Sequence, residues 1–167
     1  MILNTRTYLI LGSLALLLLI PAGSSSAAEI IQKFEGFRSV PYWDANGWAI
    51  GYGSHYNYDA GRPVRQTDRI NQQTALKWLN IAINENSRLL DRVVNVPINN
   101  NQRDSLLSFV YNIGDSGFLN STLLQKINQR RPKWETAAEF DRWIYSDGSI
   151  NPVLVQRRKL EKALFLS

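Results

Sequence analysis

Apolar side chains keep different periods along this chain, and each change of period marks a boundary. Residues 7–20 are Leu-rich and apolar on every face, and Pro21 closes the run. A helix that is hydrophobic all round suits a membrane or an export signal better than the surface of a domain. Residues 22–28 hold only Ala, Gly and Ser. From residue 29 the pattern is amphipathic: Ile30, Ile31 and Phe34 share a helical face. Glu35 ends that stretch and Gly36 is a natural stop, so the pattern predicts a helix over 29–36. Residues 38–66 mix glycine, two prolines and aromatics, the composition of turns and short strands, and predict a small antiparallel sheet. Within it, alternation over Gly47–Gly53 puts Ala49, Gly51 and Gly53 on one nearly bare face. Trp48, Ile50 and Tyr52 then share the other.

The helical period returns at Asn71. Ala75, Leu79, Ala82, Ile83, Asn86, Leu89, Leu90 and Val93 trace one face, with Asn71 as N-cap and Pro97 as terminator. Asn99–Asn101 can cap the next helix. Its Leu106, Leu107, Phe109, Val110 and Ile113 are too apolar for a surface helix, so it is expected to be central and buried, ending at Gly114. Ser121 suits the cap of a helix over 122–130, Pro132 breaks the chain before Trp134–Tyr145, and Pro152 fits the first turn of a last helix over 152–165. The order predicts an α+β fold: a small antiparallel sheet lobe packed on a mainly helical lobe, occupying 29–167 as one domain. A cleft between two lobes is the usual seat of a substrate.

Composition narrows the chemistry. There is no cysteine and one histidine, His55, so disulfides, thiol nucleophiles and His-rich metal sites are excluded, and no metal or cofactor is expected. The net charge is +5; residues 1–28 contribute only Arg6, which leaves 18 basic against 14 acidic side chains, or +4, beyond them. A basic surface attracts polyanions: nucleic acid, anionic lipid or bacterial wall. The basic residues are scattered and no recognition motif accompanies them, so nucleic acid is not expected as a partner. Arg6, the apolar run and the small residues after it have the layout of a secretory signal, with Ser26-Ala27-Ala28 at the cleavage positions. The run is shorter than the about 20 apolar residues of a spanning helix. Residues 1–28 are therefore expected to act as a signal peptide cleaved after Ala28, with an uncleaved signal-anchor through residues 7–20 as the alternative. Either form engages the export machinery and the inner membrane and delivers the protein to the periplasm or beyond.

Glu35-Gly-Phe-Arg-Ser-Val-Pro-Tyr-Trp-Asp44 sets two carboxylates on a helix end and a sheet. Glycoside hydrolysis asks for such a pair, one acid to protonate the leaving oxygen and one carboxylate to serve the opposite face of the sugar. Spacing alone does not separate this pair from two surface acids. Glu35-Gly-Phe-Arg, Tyr42-Trp-Asp44, Ala49-Ile-Gly-Tyr-Gly53 and Asn101–Gly114 do more, and so do Ser121-Thr-Leu-Leu124 and Pro152–Arg158. Together, over roughly residues 30–165, they resemble the phage-type lysozymes, glycoside hydrolase family 24. The resemblance implies a lysozyme-like fold, a monomer, and hydrolysis of the bond between N-acetylmuramic acid and N-acetylglucosamine in peptidoglycan, with inversion. It implies Glu35 as catalytic acid, Asp44 as the second carboxylate, and Tyr111 and Asn112 along the sugar cleft.

The chain departs from the family where a threonine is usual and Ala49 stands, and Ser54 is inserted before His55. The threonine hydroxyl helps hold the attacking water, so Ser54 is a candidate substitute, and a wall-binding protein of weak or no activity is the alternative function. His55 is expected to be structural, beside an acid such as Asp68. Arg157 and Arg158 are expected on a solvated face or, alternatively, near Glu35; Trp134 and Trp143 are expected in the core.

Overall fold

The computed structural model describes residues 26–44 and 46–167. The apolar run over 7–20 lies outside the described residues. Among those described, no helix is long and apolar enough to cross a membrane.

The first helix, α1 (Ala27–Glu35), starts two residues before the position the pattern predicts. Ser26 and Glu29 form a reciprocal capping box: the Glu29 amide donates to Ser26 Oγ, and the Ser26 amide donates to Glu29 Oε2 at 2.8 Å. Ala27 is buried, and its amide donates to Asp104 Oδ1 at 3.3 Å. Two antiparallel hairpins follow: β1 (Arg38–Asp44) with β2 (Gly47–Gly51), and β3 (Tyr56–Asn57) with β4 (Arg62–Pro63). The long helix α2 (Gln72–Val93) links this lobe to the helical one, capped by Asn71 as the sequence predicts. The central α3 (Asn100–Leu119) buries Leu106, Leu107, Phe109 and Val110, in keeping with its apolar pattern. Its regular helix ends at Gly114 as the sequence predicts: at φ 76° and ψ 165° that residue is non-helical, and a further helical segment follows to Leu119.

Around α3 pack α4 (Thr122–Asn128), α5 (Lys133–Ala137), a 3-10 turn over Ala138–Arg142, and α6 (Pro152–Leu166). Phe109 is the hub of the helical core, with ring centroids 5.0 Å from Phe140 and 5.6 Å from Trp143. Trp143 thus joins the core as expected, whereas Trp134 is 71% exposed. One more hairpin, β5 (Tyr145–Ser146) with β6 (Ser149–Ile150), precedes α6, and the sequence reading gave it no place. Its turn is Asp147-Gly148, both at positive φ, which is the two-residue turn that suits strand twist. The α+β architecture and its order are as the sequence predicts.

Candidate active site

Glu35 closes α1, and Gly36 at φ 65° turns the chain away toward the sheet. The Glu35 side chain is 3% exposed. Its Oε1 accepts from Arg157 Nη1 at 2.7 Å. Its Oε2 faces the turn after β2: a Cβ on Gly53 would stand 3.3 Å from that oxygen and 3.9 Å from the Tyr42 hydroxyl. Glycine at 53, at φ 87°, is what lets the turn's backbone lie against the carboxylate.

Arg157 and Arg158 are buried, so the expectation of a solvated face is corrected in favour of the alternative near Glu35. They are tolerated because Glu161, also fully buried on α6, neutralises them. Glu161 Oε1 accepts from Arg157 Nε at 3.1 Å, from Arg158 Nη2 at 3.1 Å and from Ser108 Oγ at 2.6 Å, while Oε2 lies 2.8 Å from Arg158 Nε. Arg157 Nη2 also donates to the Ser108 carbonyl at 3.1 Å. Glu161 thus pairs with both guanidiniums, and Arg157 reaches on to Glu35. Glu161 escaped the sequence reading. Its signal was its place at i+4 from Arg157 and i+3 from Arg158, among the buried Leu154, Leu164 and Phe165.

Asp44, at the end of β1, is 7% exposed. The register pairs Tyr42 with Ala49 and Asp44 with Gly47, so Tyr42, Asp44 and Ala49 share one face of the hairpin. Trp43 and Trp48 share the other, their rings edge to face at 5.3 Å, with Trp43 mostly exposed. Asp44 Oδ1 accepts from the Asn46 amide at 2.8 Å. Its Oδ2 lies 3.2 Å from His55 Nε2, and His55 Nδ1 lies 3.1 Å from the Trp48 carbonyl. The expected His55–Asp68 pair is therefore corrected. Asp68 is held instead by Arg62, whose Nη2 lies 2.7 Å from Oδ1 and whose Nη1 lies 2.9 Å from Oδ2. That guanidinium holds the Asp68 carboxyl well below the usual carboxylate range.

Ser54 does not point at the reacting carboxylates. Its hydroxyl donates to the Tyr56 carbonyl at 2.8 Å and accepts from the Tyr56 amide at 3.3 Å. The continuous strand expected through Gly53 also stops at Gly51: Ile50 and Ser54 exchange both backbone hydrogen bonds at 2.9 Å, closing a turn over 51–53. Ala49 is fully buried.

A groove of about 520 Å³ runs from Gly53, Ser54 and His55 past Tyr111 to Arg88, Arg92 and Asp115. Tyr111 lines it, with its hydroxyl donating to the Tyr52 carbonyl at 2.7 Å. Asn112 instead lines a small pocket with Glu35, Asn151 and Arg157, and its Oδ1 accepts from Arg158 Nη2 at 2.9 Å. Among the described residues no cluster of three or more potential metal ligands occurs.

Residues 32–161 match the Phage lysozyme family model. The endolysin of Acyrthosiphon pisum secondary endosymbiont phage 1 is 36% identical over 151 residues, covering 86% of this chain and 97% of that one. The endolysin of Bacillus phage B103 is 34% identical, and the aligned part spans 86% of this chain and 54% of that protein. The SAR-endolysin of Enterobacteria phage PA-2 is 31% identical over 133 residues, 79% of this chain and 77% of that one. Among solved structures, the muramidase domain of SpmX from Asticaccaulis excentricus superposes with a TM-score of 0.74 at 31% identity, covering 84% of this chain and 95% of that one. A P22 lysozyme mutant superposes with a TM-score of 0.72 at 30% identity, covering 89% and 100%. Fold, family match and relatives agree: the chain belongs to the phage lysozyme family and is a lysozyme-type glycoside hydrolase, an enzyme of peptidoglycan lysis.

Proposed function

We propose that the chain hydrolyses the glycosidic bond between N-acetylmuramic acid and N-acetylglucosamine, with Glu35 as proton donor and Asp44 as the carboxylate that activates water. One observation supports this most: Glu35 is buried with Oε1 tied to Arg157, while Oε2 faces the turn that carries His55 to Asp44. In this reading the proton is delivered from Oε2, the oxygen that faces the turn after β2. The proton passes to the leaving glycosidic oxygen as the bond to the anomeric carbon breaks. Water attacks that carbon from the opposite face and gives its proton to Asp44, so the configuration inverts. Tyr111 in the groove and Asn112 beside Glu35 are the proposed sugar contacts. The test is mass spectrometry of muropeptides released from purified peptidoglycan. Products with a reducing N-acetylmuramic acid, lost in Glu35→Gln, are expected. Binding to the wall without product release by the wild type would favour the wall-binding alternative.

We further propose that the N-terminal segment directs export and stays attached as an anchor. Cleavage after Ala28 would sever α1 between the halves of the Ser26–Glu29 capping box and remove the buried Ala27. Loss of such a cap costs about 1 kcal/mol. The similarity to SAR-endolysins supports the same reading. The mass of the protein recovered from expressing cells decides: full-length chain is expected, and a product starting at Glu29 would overturn it.

A further inference from the structure

We infer that His55 is a positioning residue for Asp44, and that it supplies the orientation lost where Ala49 replaces the usual hydroxyl. The inference rests on the reading of Asp44 as the water-activating carboxylate. Both departures of this chain from its family pattern fall at one place. Ala49 lies on the same hairpin face as Asp44, so the hydroxyl missing there is missing beside Asp44. The extra residue, Ser54, takes the bridge to Ile50 and turns outward, with its hydroxyl committed to Tyr56. The next side chain, His55, is thereby carried inward onto Asp44, 3.2 Å from Oδ2.

The imidazole is itself fixed. Two acceptors face the ring, the Trp48 carbonyl 3.1 Å from Nδ1 and Asp44 Oδ2 3.2 Å from Nε2, and the ring bonds both when each nitrogen carries a hydrogen. This sets the ring plane and directs Nε2 at Asp44. With the Asn46 amide on Oδ1 at 2.8 Å, both oxygens of Asp44 have a partner that fixes the carboxylate plane. Each oxygen keeps a further lone pair for the water. His55 also lines the groove, as does Gly53. The device needs no proton transfer to His55. It holds Asp44 in the geometry that attack requires, and a displacement of about 1 Å at such a group can cost about a hundredfold in rate.

The test measures kcat and KM of the full-length chain on purified peptidoglycan, by release of reducing ends, for His55→Ala, His55→Gln and Ala49→Thr, and for Ala49→Thr combined with His55→Ala. His55→Ala is expected to lower kcat about ten- to a hundredfold with KM changed by less than about twofold, because the group touches Asp44 rather than holding the glycan. His55→Gln, which keeps a side-chain N–H, is expected to recover about tenfold of that loss. Ala49→Thr is expected to raise kcat about tenfold in the His55→Ala background and less than about twofold in the wild type, since one orienting group suffices. A kcat for His55→Ala within about twofold of wild type, or above it, overturns the inference; so does a Gln variant no better than Ala at equal thermal stability. Asp44→Asn, measured alongside, separates the two readings: if it retains full activity, the role of Asp44 itself fails.

Discussion

Glu161→Ala tests the idea that the buried charge cluster both holds α6 against α3 and holds Glu35 in place. The glutamate is fully buried, and Ser108, Arg157 and Arg158 all bond it. Truncation leaves two guanidiniums, 2% and 1% exposed, without the carboxylate that pairs them both. Breaking a buried ion network by removing one partner costs about 3–5 kcal/mol. For a domain of this size that corresponds to a melting point lower by about 10–15 °C. Activity should fall further than stability explains. Arg157 bridges Glu161 and Glu35; deprived of Glu161, its guanidinium loses the partner that fixes it, and Glu35 loses its fixed position.

Two further variants isolate the cause. Glu161→Gln keeps the volume and one acceptor, so it should cost less than Glu161→Ala, although its amide N–H₂ must face a guanidinium donor. Combining Glu161→Leu with Arg158→Leu removes one of the two guanidiniums that lost their carboxylate, while Arg157 keeps Glu35 as a partner. Apolar replacement of buried ions is often neutral or stabilising, so the double variant should recover about 2 kcal/mol or more relative to Glu161→Leu alone. Thermal melts followed by circular dichroism, with lysis rates taken at a temperature where every variant is folded, measure both effects. A Glu161→Ala protein within about 1 kcal/mol of wild type would refute the argument.

Gly53→Ala should reduce turnover strongly with a smaller loss of stability, because its Cβ would press on Glu35 Oε2 from 3.3 Å at a φ of 87°; unchanged initial rates on peptidoglycan would show that the turn does not set the carboxylate. Asp68→Asn should flatten the acid side of the stability profile. The Arg62 contact lowers the Asp68 carboxyl in the folded state, so its contribution is present above the ordinary carboxylate range and lost as pH falls through the folded value; urea midpoints of both proteins from neutral to acidic pH check this, and parallel curves would count against it. Ser26→Ala should lower the melting point by the few degrees expected of about 1 kcal/mol, as the capping box on α1 is lost; no change would mean that α1 is held by its buried face alone.

The helices were legible because their causes are local. Asn71, Asn99 and Ser121 cap where a short polar side chain precedes an apolar face, and Pro152 opens α6. Gly114 was legible as the point where the regular helix stops, and what the sequence did not show is the short helical segment that follows it to Leu119. Glu35 and Asp44 were singled out through their sequence frame. Their partners were not. Arg157 and Arg158 read as solvated because charge is ordinarily surface; what buries them is Glu161 on the same helix and Ser108 on another, a pairing no local pattern reports.

His55 shows the same limit most sharply. The sequence suggested Asp68 as its partner, but Asp68 is already taken by Arg62. That side chain reaches across β4 to occupy both oxygens of Asp68, which leaves Asp44 as the acid that His55 meets. Alternation after Ser54 sends residue 55 to the inner side, and that side holds the carboxylate. A departure from a family pattern is therefore best weighed with its neighbours: the loss of a hydroxyl at 49 and the gain of a residue at 54 are separate in sequence but meet at Asp44 in space.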